Sequence, residues 1–341
     1  MTLTVPPMDG AFRPNTAIET AKIVTKGDQP DNVVVAGESA FYSDGARVMR
    51  LAADGRTETF AALPDTVTAM AAASDGTLAI ATVSGAISFV GPRQSALRAL
   101  KIEAAQGDIT AMAFVDAERL AVTVGSQANP GSKWREDLMQ MRRAGAAWIA
   151  NVSSGATEKI ADGLGYPAGV VGGGSDELVV AEAWLNRLVT IDRRGARRVL
   201  LEHLPAYPGR LSPSSRGGYW LALFAPRNQL VEFVLREPTY RKRMMREIEP
   251  DCWVSPSLTP HDSPLSPMQE GGVKIGGMTK PWAPSLSYGL IARLDRNCQP
   301  QSSLHSRADG RRHGVTSAVE FGERLLATSR GAGLVVEVPF Q

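Results

Sequence analysis

Short apolar runs alternate with turn residues along most of the chain, and this pattern is the first indication of the fold. The stretch LLEHLPAYPGRLSPSSRGGYWLAL, residues 200–223, contains a segment rich in turn residues, with a Pro-Gly turn at Pro208 and Gly209. An apolar strand follows at residues 219–223. Apolar runs of this length between Gly, Pro and Asp clusters are typical of β-strands. Because one such unit cannot bury both faces of its sheet, several must pack around an axis. The pattern predicts an all-β ring of blades, a β-propeller.

Six units of this kind can be placed along the chain. They occupy residues 27–63, 64–102, 109–160, 163–203, 204–295 and 314–338. A β-compatible run at residues 17–25 has no local partner, and we expect it to close the ring by joining the last blade, since closure removes the free sheet edges. The length alone would suggest two domains, but the pattern predicts a single six-bladed domain over residues 1–341.

Two insertions interrupt the blades, at residues 127–144 and 225–284. Apolar residues at near-helical spacing predict a short helix at residues 133–143, and a second surface helix is predicted at residues 237–248. The Pro/Ser/Gly-rich run at residues 255–284 is interpreted as a long loop, and loops of this length are often functional. We expect the insertions to lie over one face of the ring as lids.

Composition narrows the possible partners. Apolar residues make up 43% and charged residues 21% of the chain, which is typical of a globular protein. The formal net charge is only +2, so the composition does not indicate the excess of basic residues that nucleic-acid-binding proteins usually have. No window approaches the roughly 20 apolar residues of a membrane span, and the first residues lack the basic and apolar parts of a secretory signal. We therefore expect a cytoplasmic protein that binds a small-molecule substrate or ligand, in an undetermined oligomeric state.

The chain contains two cysteines, Cys252 and Cys298, and neither belongs to a CxxC pair. Two cysteines are too few for a disulfide framework. A single bridge between them remains open, since both flank one long insertion. A cytoplasmic location favours free thiols.

Several sequence strings, taken in order, resemble one known family. They are VPPMDGAFRPN near the start, GLGYPAGVV with VVAEAWLNRLVTID, LPAYPGRL with GGYWLAL, and HGVTSAVEFGERLLATS at the end. Together they resemble the strictosidine synthase-like branch of six-bladed propellers, which is related to the gluconolactonases, regucalcin and the paraoxonases. The resemblance covers most of the chain. It implies the fold but no single reaction, because this fold hosts several chemistries.

The metal-dependent members of these families hold one divalent cation on the ring axis with carboxylate and amide oxygens, as suits a calcium-like ion. The resemblance matches their ligand positions to Asp31, Ala168 and Gly209, and Arg210 follows the last of these. Ala168 and Gly209 have no side-chain oxygen. One carboxylate beside a cation makes a poor divalent site, so we expect no metal cofactor. The alternative is calcium held by Asp31 with backbone carbonyls and water.

Strictosidine synthase itself uses a glutamate of the last blade as general acid and base in an amine–aldehyde condensation. By the resemblance, Thr316 stands at the matching position. Threonine cannot shuttle a proton near neutral pH. The resemblance therefore does not imply this Pictet–Spengler condensation, and we expect Thr316 to act as a hydrogen-bond donor.

Asp31 and Arg210 meet if both corners face the axis. The first interpretation is a structural salt bridge that plugs the channel, since buried charges usually exist as pairs. In the second, the two side chains hold an acidic or zwitterionic ligand. Asp31 would then be the base or orienter, and Arg210 would hold the anion.

Two histidines and three aromatic residues complete the candidate site. His313 could be a base poised near neutral pH, or a loop histidine held by turn hydrogen bonds. His261, in the long loop, could reach over the pocket or lie in solvent. Trp134, Tyr166 and Trp184 are expected to form a flat apolar wall for an organic ligand. Further ligand contacts are expected from Asn32, Ala168, Gly209 and His261.

The run at residues 236–246 interleaves basic residues with Tyr240, Met244 and Met245. It could dock on an anionic membrane or on a partner. The plainer interpretation is a surface helix whose charges are solvated.

These observations predict an enzyme that acts on a small organic molecule in the axial pocket. The expected reaction is lactonase-type hydrolysis, or a related acid–base reaction, without strong metal dependence. No GxSxG elbow, HExxH, P-loop or GxGxxG points to another mechanism. The alternatives are a non-catalytic propeller that binds a small molecule or a protein, and a calcium-dependent lactonase.

Overall fold

The chain folds into six small sheets arranged as a ring. The computed structural model describes residues 5–52, 55–103, 107–174, 176–260, 274–275, 278–279 and 285–340. Within these residues the strands form six four-stranded antiparallel sheets and one two-stranded sheet. The prediction of a six-bladed β-propeller is confirmed.

The blades follow one another around the ring in chain order. The closing strand is β1 (Lys22–Lys26). Blade one contains β2 (Pro30–Ala36), β3 (Ser39–Asp44), β4 (Arg47–Leu51) and β5 (Thr57–Ala62). Blade two contains β6 (Val67–Ala72), β7 (Leu78–Thr82), β8 (Ala86–Val90) and β9 (Leu100–Lys101). Blade three contains β10 (Ile109–Phe114), β11 (Arg119–Val124), β12 (Gly145–Asn151) and β13 (Thr157–Leu164).

The remaining blades are built in the same way. Blade four contains β14 (Pro167–Gly172), β15 (Leu178–Glu182), β16 (Arg187–Ile191) and β17 (Arg197–Leu201). Blade five contains β18 (Ala206–Pro213) and β19 (Tyr219–Pro226), then, after the pair β20 (Lys274–Ile275) and β21 (Met278–Thr279), β22 (Leu290–Leu294) and β23 (Pro300–His305). Blade six contains β24 (Val315–Phe321), β25 (Arg324–Ser329) and β26 (Leu334–Pro339).

The first strand of each blade lies innermost. These strands contact one another in the cyclic order β2, β6, β10, β14, β18 and β24, and β24 returns to β2. The closing strand β1 pairs with β26, as predicted. It begins at Lys22 rather than at residue 17, because Ile18 and Ala21 form turns that bury their side chains between blades five and six.

The core consists of apolar layers between neighbouring blades. Ile87, Leu120 and Val122, for example, are fully buried between blades two and three. Both faces of most strands are therefore covered, which explains continuous apolar runs such as residues 178–181 of β15, where every residue is buried. A further apolar cluster lies beneath the helices and includes Met139 and Val234.

Three helices lie in the insertions: α1 (Trp134–Gln140), α2 (Gln229–Arg236) and α3 (Pro238–Glu247). The first and third match the predicted helices, with shorter bounds. The second was not predicted. The side chain of Asn228 accepts a hydrogen bond from the Leu230 N–H at 2.8 Å and so begins α2. Pro238 then separates α2 from α3, because the residue before a proline avoids the helical conformation.

The described residues also contain single 3-10 turns. They are Gly10–Phe12, Gln94–Ala96, Gly131–Lys133, Ala183–Leu185, Pro250–Cys252 and Arg330–Ala332. Cys252 and Cys298 are free thiols, and Cys298 is buried. Among the described residues, no helix combines the length and the apolar character that crossing a bilayer requires.

Candidate functional site

Every inner strand has an irregularity in its register near its first residues. There, one or two residues fall out of the antiparallel pairing with the next strand. A bulge of this kind leaves the extra residue unpaired and redirects its side chain, and bulges are common beside active sites. The six bulges lie at the same end of the ring. The unpaired residues are Asn32, Val33, Thr68, Thr110, Ala168, Gly209, Arg210 and Thr316.

A cavity of about 610 Å³ opens at this end of the ring, and its lining includes residues of all six blades. Trp134 of α1 and Leu258 of the second insertion also line it. The cavity brings together most of the residues that the sequence singled out. They are Asp31, Trp134, Tyr166, Ala168, Trp184, Gly209, Arg210 and Thr316.

A second, smaller cavity of about 200 Å³ lies further along the inner strands. Asn32 lines this cavity and not the larger one. Arg210 lines both cavities, so its side chain lies between them on the axis. The channel through the ring is therefore divided by a guanidinium group.

Asp31 and Arg210 do meet, and both are largely buried. Arg210 Nη1 lies 2.7 Å from Asp31 Oδ1, and Nη2 donates to the carbonyl oxygen of Thr68 at 2.9 Å. Nη1 also lies 3.5 Å from the carbonyl oxygen of Thr316. The guanidinium of blade five thus joins blades one, two and six. Burial lowers the pKa of Arg210, and the Asp31 carboxylate opposes this shift.

A second arginine, Arg330, faces the same carboxylate. Its Nη1 lies 3.4 Å from Asp31 Oδ2, and its Nη2 lies 3.3 Å from Gln29 Oε1. Its side chain is 39% exposed and lines the cavity. No motif in the sequence singled out Arg330. It lies in a turn of blade six, and only the closure of the ring places that turn beside blade one.

A divalent cation at the axis would need the oxygens that Arg210 already engages. The guanidinium contacts the Asp31 carboxylate and two backbone carbonyls, which are the ligand types that calcium prefers. No group of three His, Cys, Asp or Glu side chains that could hold a metal occurs among the residues that the structure describes. With Arg210 in this position the donor set does not fit a divalent cation, because the ion would lie against a fixed positive charge.

Three buried polar atoms around the ion pair have no hydrogen-bond partner within the described part of the chain. They are Asn32 Oδ1, Thr68 Oγ1 and Arg210 Nε. Asn32 also has a left-handed backbone, with φ of 56°, and its N–H donates to Asp31 Oδ1 at 2.7 Å. Strained backbone and unsatisfied buried polar atoms are concentrated at functional sites, where water or a ligand supplies the missing partner.

Asp108, which the sequence reasoning also missed, is the second carboxyl group of the cavity. It stands just before β10, and its Oδ2 accepts a hydrogen bond from the Gly131 N–H at 3.0 Å. Burial raises the pKa of Asp108, and the hydrogen bond from Gly131 opposes this shift. The two carboxyl groups of the cavity therefore differ. The Asp31 carboxylate is held by the guanidinium groups of Arg210 and Arg330, whereas Asp108 can exchange a proton at higher pH than an exposed aspartate.

Aromatic rings, including the three that the sequence singled out, form one side of the cavity. Tyr166 stacks on Trp184 with 4.3 Å between ring centroids, and Trp134 stacks on Trp184 with 6.1 Å between centroids. The indole N–H of Trp184 donates to Asp137 Oδ1 at 2.8 Å, which fixes its ring. Phe224, missed because β19 extends beyond the predicted strand, completes the wall.

Tyr166 and Thr316 bring hydroxyl groups to the cavity. Burial raises the pKa of Tyr166, and Asp137 and Asp108 raise it further, so its phenol stays protonated at neutral pH. Thr316 Oγ1 lies 3.1 Å from Thr328 Oγ1. Both hydroxyls are neutral hydrogen-bonding groups and cannot replace a carboxyl in proton transfer at neutral pH.

The structure does not bring His313 into the cavity. It is fully buried, with Nδ1 lying 2.8 Å from Ser287 Oγ and Nε2 lying 2.7 Å from the carbonyl oxygen of Arg307. These contacts match the alternative of a histidine held by hydrogen bonds, so His313 is left out of the proposed site. His261 lies outside the described residues.

No family model matches the chain. Adipocyte plasma membrane-associated protein of Mus musculus is 26% identical over 275 residues, which cover 70% of this chain. The matched part spans 65% of that relative's length.

Solved structures with the same fold include a gluconolactonase and a regucalcin. A gluconolactonase from Xanthomonas campestris superposes with a TM-score of 0.56 at 12% identity, covering 94% of this chain and 89% of that chain. Regucalcin, a calcium-binding protein from Agrobacterium tumefaciens, superposes with a TM-score of 0.55 at 12% identity, covering 94% and 95%. The chain shares the propeller fold of these proteins. Identities this low show the fold alone, and the likeness to strictosidine synthase-like proteins stays a prediction.

Proposed function

We propose that the protein is a hydrolase that opens a small lactone in the axial cavity without a metal ion. The observation that carries this proposal is the meeting, in one cavity of about 610 Å³, of the Asp108 carboxyl group, the partly exposed Arg330 side chain and an aromatic wall. The volume falls within the range of about 300–1,000 Å³ that is usual for small-molecule sites. The gluconolactonase fold of a structural neighbour supports the type of reaction.

Asp108 acts as the general base. Its carboxylate takes a proton from water while the water oxygen bonds to the lactone carbonyl carbon. The tetrahedral intermediate then collapses, the ring carbon–oxygen bond breaks, and Asp108 returns the proton to the leaving oxygen. One lactone and one water give one hydroxy acid. The raised pKa of Asp108 favours both steps, since it brings the group closer to the working pH.

Arg330 binds the negative charge that forms on the carbonyl oxygen and later on the product carboxylate. Arg210 was expected to have this role, but its side chain is only 19% exposed and two of its contacts, to Asp31 and Thr68, are as short as 2.7 and 2.9 Å. The Arg330 side chain is 39% exposed and its contacts are longer, at 3.3 and 3.4 Å. Arg210 fits the first interpretation better, a salt bridge that plugs the channel. Asp31 then positions both guanidinium groups through its two carboxylate oxygens.

The aromatic wall sets the kind of lactone. Trp134, Tyr166, Trp184 and Phe224 offer an apolar aromatic surface, which would favour a ring with an apolar substituent over a fully hydroxylated sugar lactone. The phenol of Tyr166 and the hydroxyl of Thr316 supply hydrogen bonds to the polar end of the ligand.

The test is a pH-indicator assay for acid release with a panel of γ- and δ-lactones that differ in substituent size. Wild-type protein should hydrolyse at least one apolar member, and Asp108→Asn should lower its kcat by about 100-fold or more. Asp28→Asn is the matched control, because Asp28 is 94% exposed and does not line the cavity. Failure of the whole panel, or equal rates for Asp108→Asn and wild type, would reject the proposal.

A second candidate is a propeller that binds a ligand without converting it. One observation favours it: both oxygens of the Asp31 carboxylate face guanidinium groups, an arrangement that stabilises the site rather than reacting. In that case lactones or their hydroxy acids would raise the thermal midpoint, Arg330→Ala would remove the effect, and no acid would be released.

A further inference from the structure

The exposed apolar residues are concentrated on the helices. Of the large apolar side chains exposed among the described residues, half lie in or beside the helical insertions: Met141 at 55%, Phe233 at 56%, Tyr240 at 50% and Ile248 at 46% exposure. The others are scattered over the closing strand and three blades. Single exposed apolar residues need no explanation, but a concentration of them marks an interaction surface.

The three helices form one packed unit. Helix α2 contacts α3, and α3 contacts α1. Arg241 of α3 contacts Met141 Sδ, just after α1, at 2.7 Å and also donates to the carbonyl oxygen of Leu235 in α2. Within α2, Val231 and Val234 are buried, whereas Phe233 and Arg236 share the exposed side. The exposed apolar residues therefore belong to one structural element.

This unit is also basic, although the whole chain is nearly neutral at +2. We define the helical face as residues 141–143 and 229–249. Its exposed acids are Glu237, Glu247 and Glu249. Its exposed bases, twice as many, are Arg142, Arg143, Arg236, Lys242, Arg243 and Arg246.

We propose that the helical face binds the surface of an anionic lipid bilayer. Its bases complement acidic headgroups, and its exposed Phe, Tyr, Met and Ile side chains can enter the boundary between headgroups and acyl chains. Aromatic rings favour this depth of the bilayer. A nucleic acid could contact the basic side chains of the helical face, but it would leave the aliphatic side chains without an apolar partner. The proposal is independent of the reaction in the cavity.

The test is cosedimentation of the full chain with vesicles of pure phosphatidylcholine, or with about 30% phosphatidylserine. Binding should require phosphatidylserine and weaken with salt. Because each base near such a surface contributes about a fivefold gain in partition, Lys242→Glu, which changes the charge by two, should reduce partition roughly 25-fold. Arg194→Glu, on an exposed turn of blade four, changes the net charge equally and should have little effect.

The apolar contribution has its own pair of variants. Phe233→Ser should weaken partition by about tenfold, whereas Val199→Ser, on an outer strand where Val199 is 44% exposed, should not. Absence of binding to phosphatidylserine vesicles would overturn the proposal. So would equal losses for Lys242→Glu and Arg194→Glu, which would indicate a net-charge effect. A Phe233→Ser variant that changes only the oligomeric state would assign the face to self-association instead.

Discussion

The ion pair at the axis allows a quantitative prediction about stability. Asp31 is 5% exposed, and the Arg210 side chain is 19% exposed. Removing one member of a buried pair leaves an uncompensated charge, which costs about 3–5 kcal/mol of unfolding free energy. The pair is not symmetric, however, because Arg330 lies 3.4 Å from the other oxygen of Asp31.

We expect Asp31→Asn to cost about 4–5 kcal/mol, because it leaves Arg210 and Arg330 without their shared carboxylate. Arg210→Met should cost about 3 kcal/mol, since Arg330 can still compensate the remaining Asp31 carboxylate. The double variant carries no unpaired carboxylate and no buried guanidinium. Its cost should fall below that of Asp31→Asn alone, because no buried charge is left without its partner, and the coupling energy should therefore be at least about 3 kcal/mol.

The assay is equilibrium unfolding in urea followed by tryptophan fluorescence, with the slope against denaturant compared among the variants. Costs that add to within about 0.5 kcal/mol would refute the coupling of the two side chains. If Arg210→Met costs more than Asp31→Asn, the sharing of Asp31 by Arg330 is wrong. Either result would remove the reason for treating the two guanidinium groups differently.

Two further predictions concern the framework. His305 is buried with both ring nitrogens near hydroxyl groups, and burial lowers its pKa from 6.5 to about 4. The stabilising effect of the neutral His305 is therefore fully present above pH 6.5, and up to about 3 kcal/mol of unfolding free energy is lost as the pH falls toward 4. In urea unfolding across this pH range, the unfolding free energy of His305→Gln should decline less steeply than that of the wild type. Parallel profiles for the two proteins would contradict the lowered pKa of His305. Gly169→Ala places a Cβ atom 2.2 Å from the carbonyl oxygen of Gly209, whereas Gly172→Ala in the same strand meets nothing within 4 Å. The first should lower the unfolding free energy by about 2 kcal/mol or more and the second by under about 1 kcal/mol, and similar losses would contradict the close approach of β14 and β18.

The repeat of strand and turn was readable from the sequence because both signals are local. Apolar runs and Gly, Pro and Asp turns predicted the six blades, and the unpaired run near the start predicted the closing strand. The resemblance also matched Asp31, Ala168, Gly209 and Thr316 to corners that do line one cavity. These positions follow from the repeat, since each inner strand enters the ring in the same way.

The residues that the sequence did not reveal depend on contacts between blades. Asp108 precedes an ordinary apolar strand, and only its burial in the cavity changes its chemistry. Arg330 reaches Asp31 across the join between the last and first blades, 299 positions away along the chain. His313 shows the reverse: it is close to Thr316 in sequence, but its side chain turns away from the cavity and binds Ser287. Sequence proximity does not determine on which side of the inner strand a residue lies.

If the axial guanidinium group takes the place of a metal ion in a lactone hydrolase, as proposed, then turnover requires no divalent cation. The most direct measurement is the rate of opening of the best lactone substrate by protein that has been depleted of divalent metals with a chelator and dialysed. We predict the same rate before depletion, after depletion, and after calcium is added back. A rate that disappears on depletion and returns only with calcium would contradict the claim.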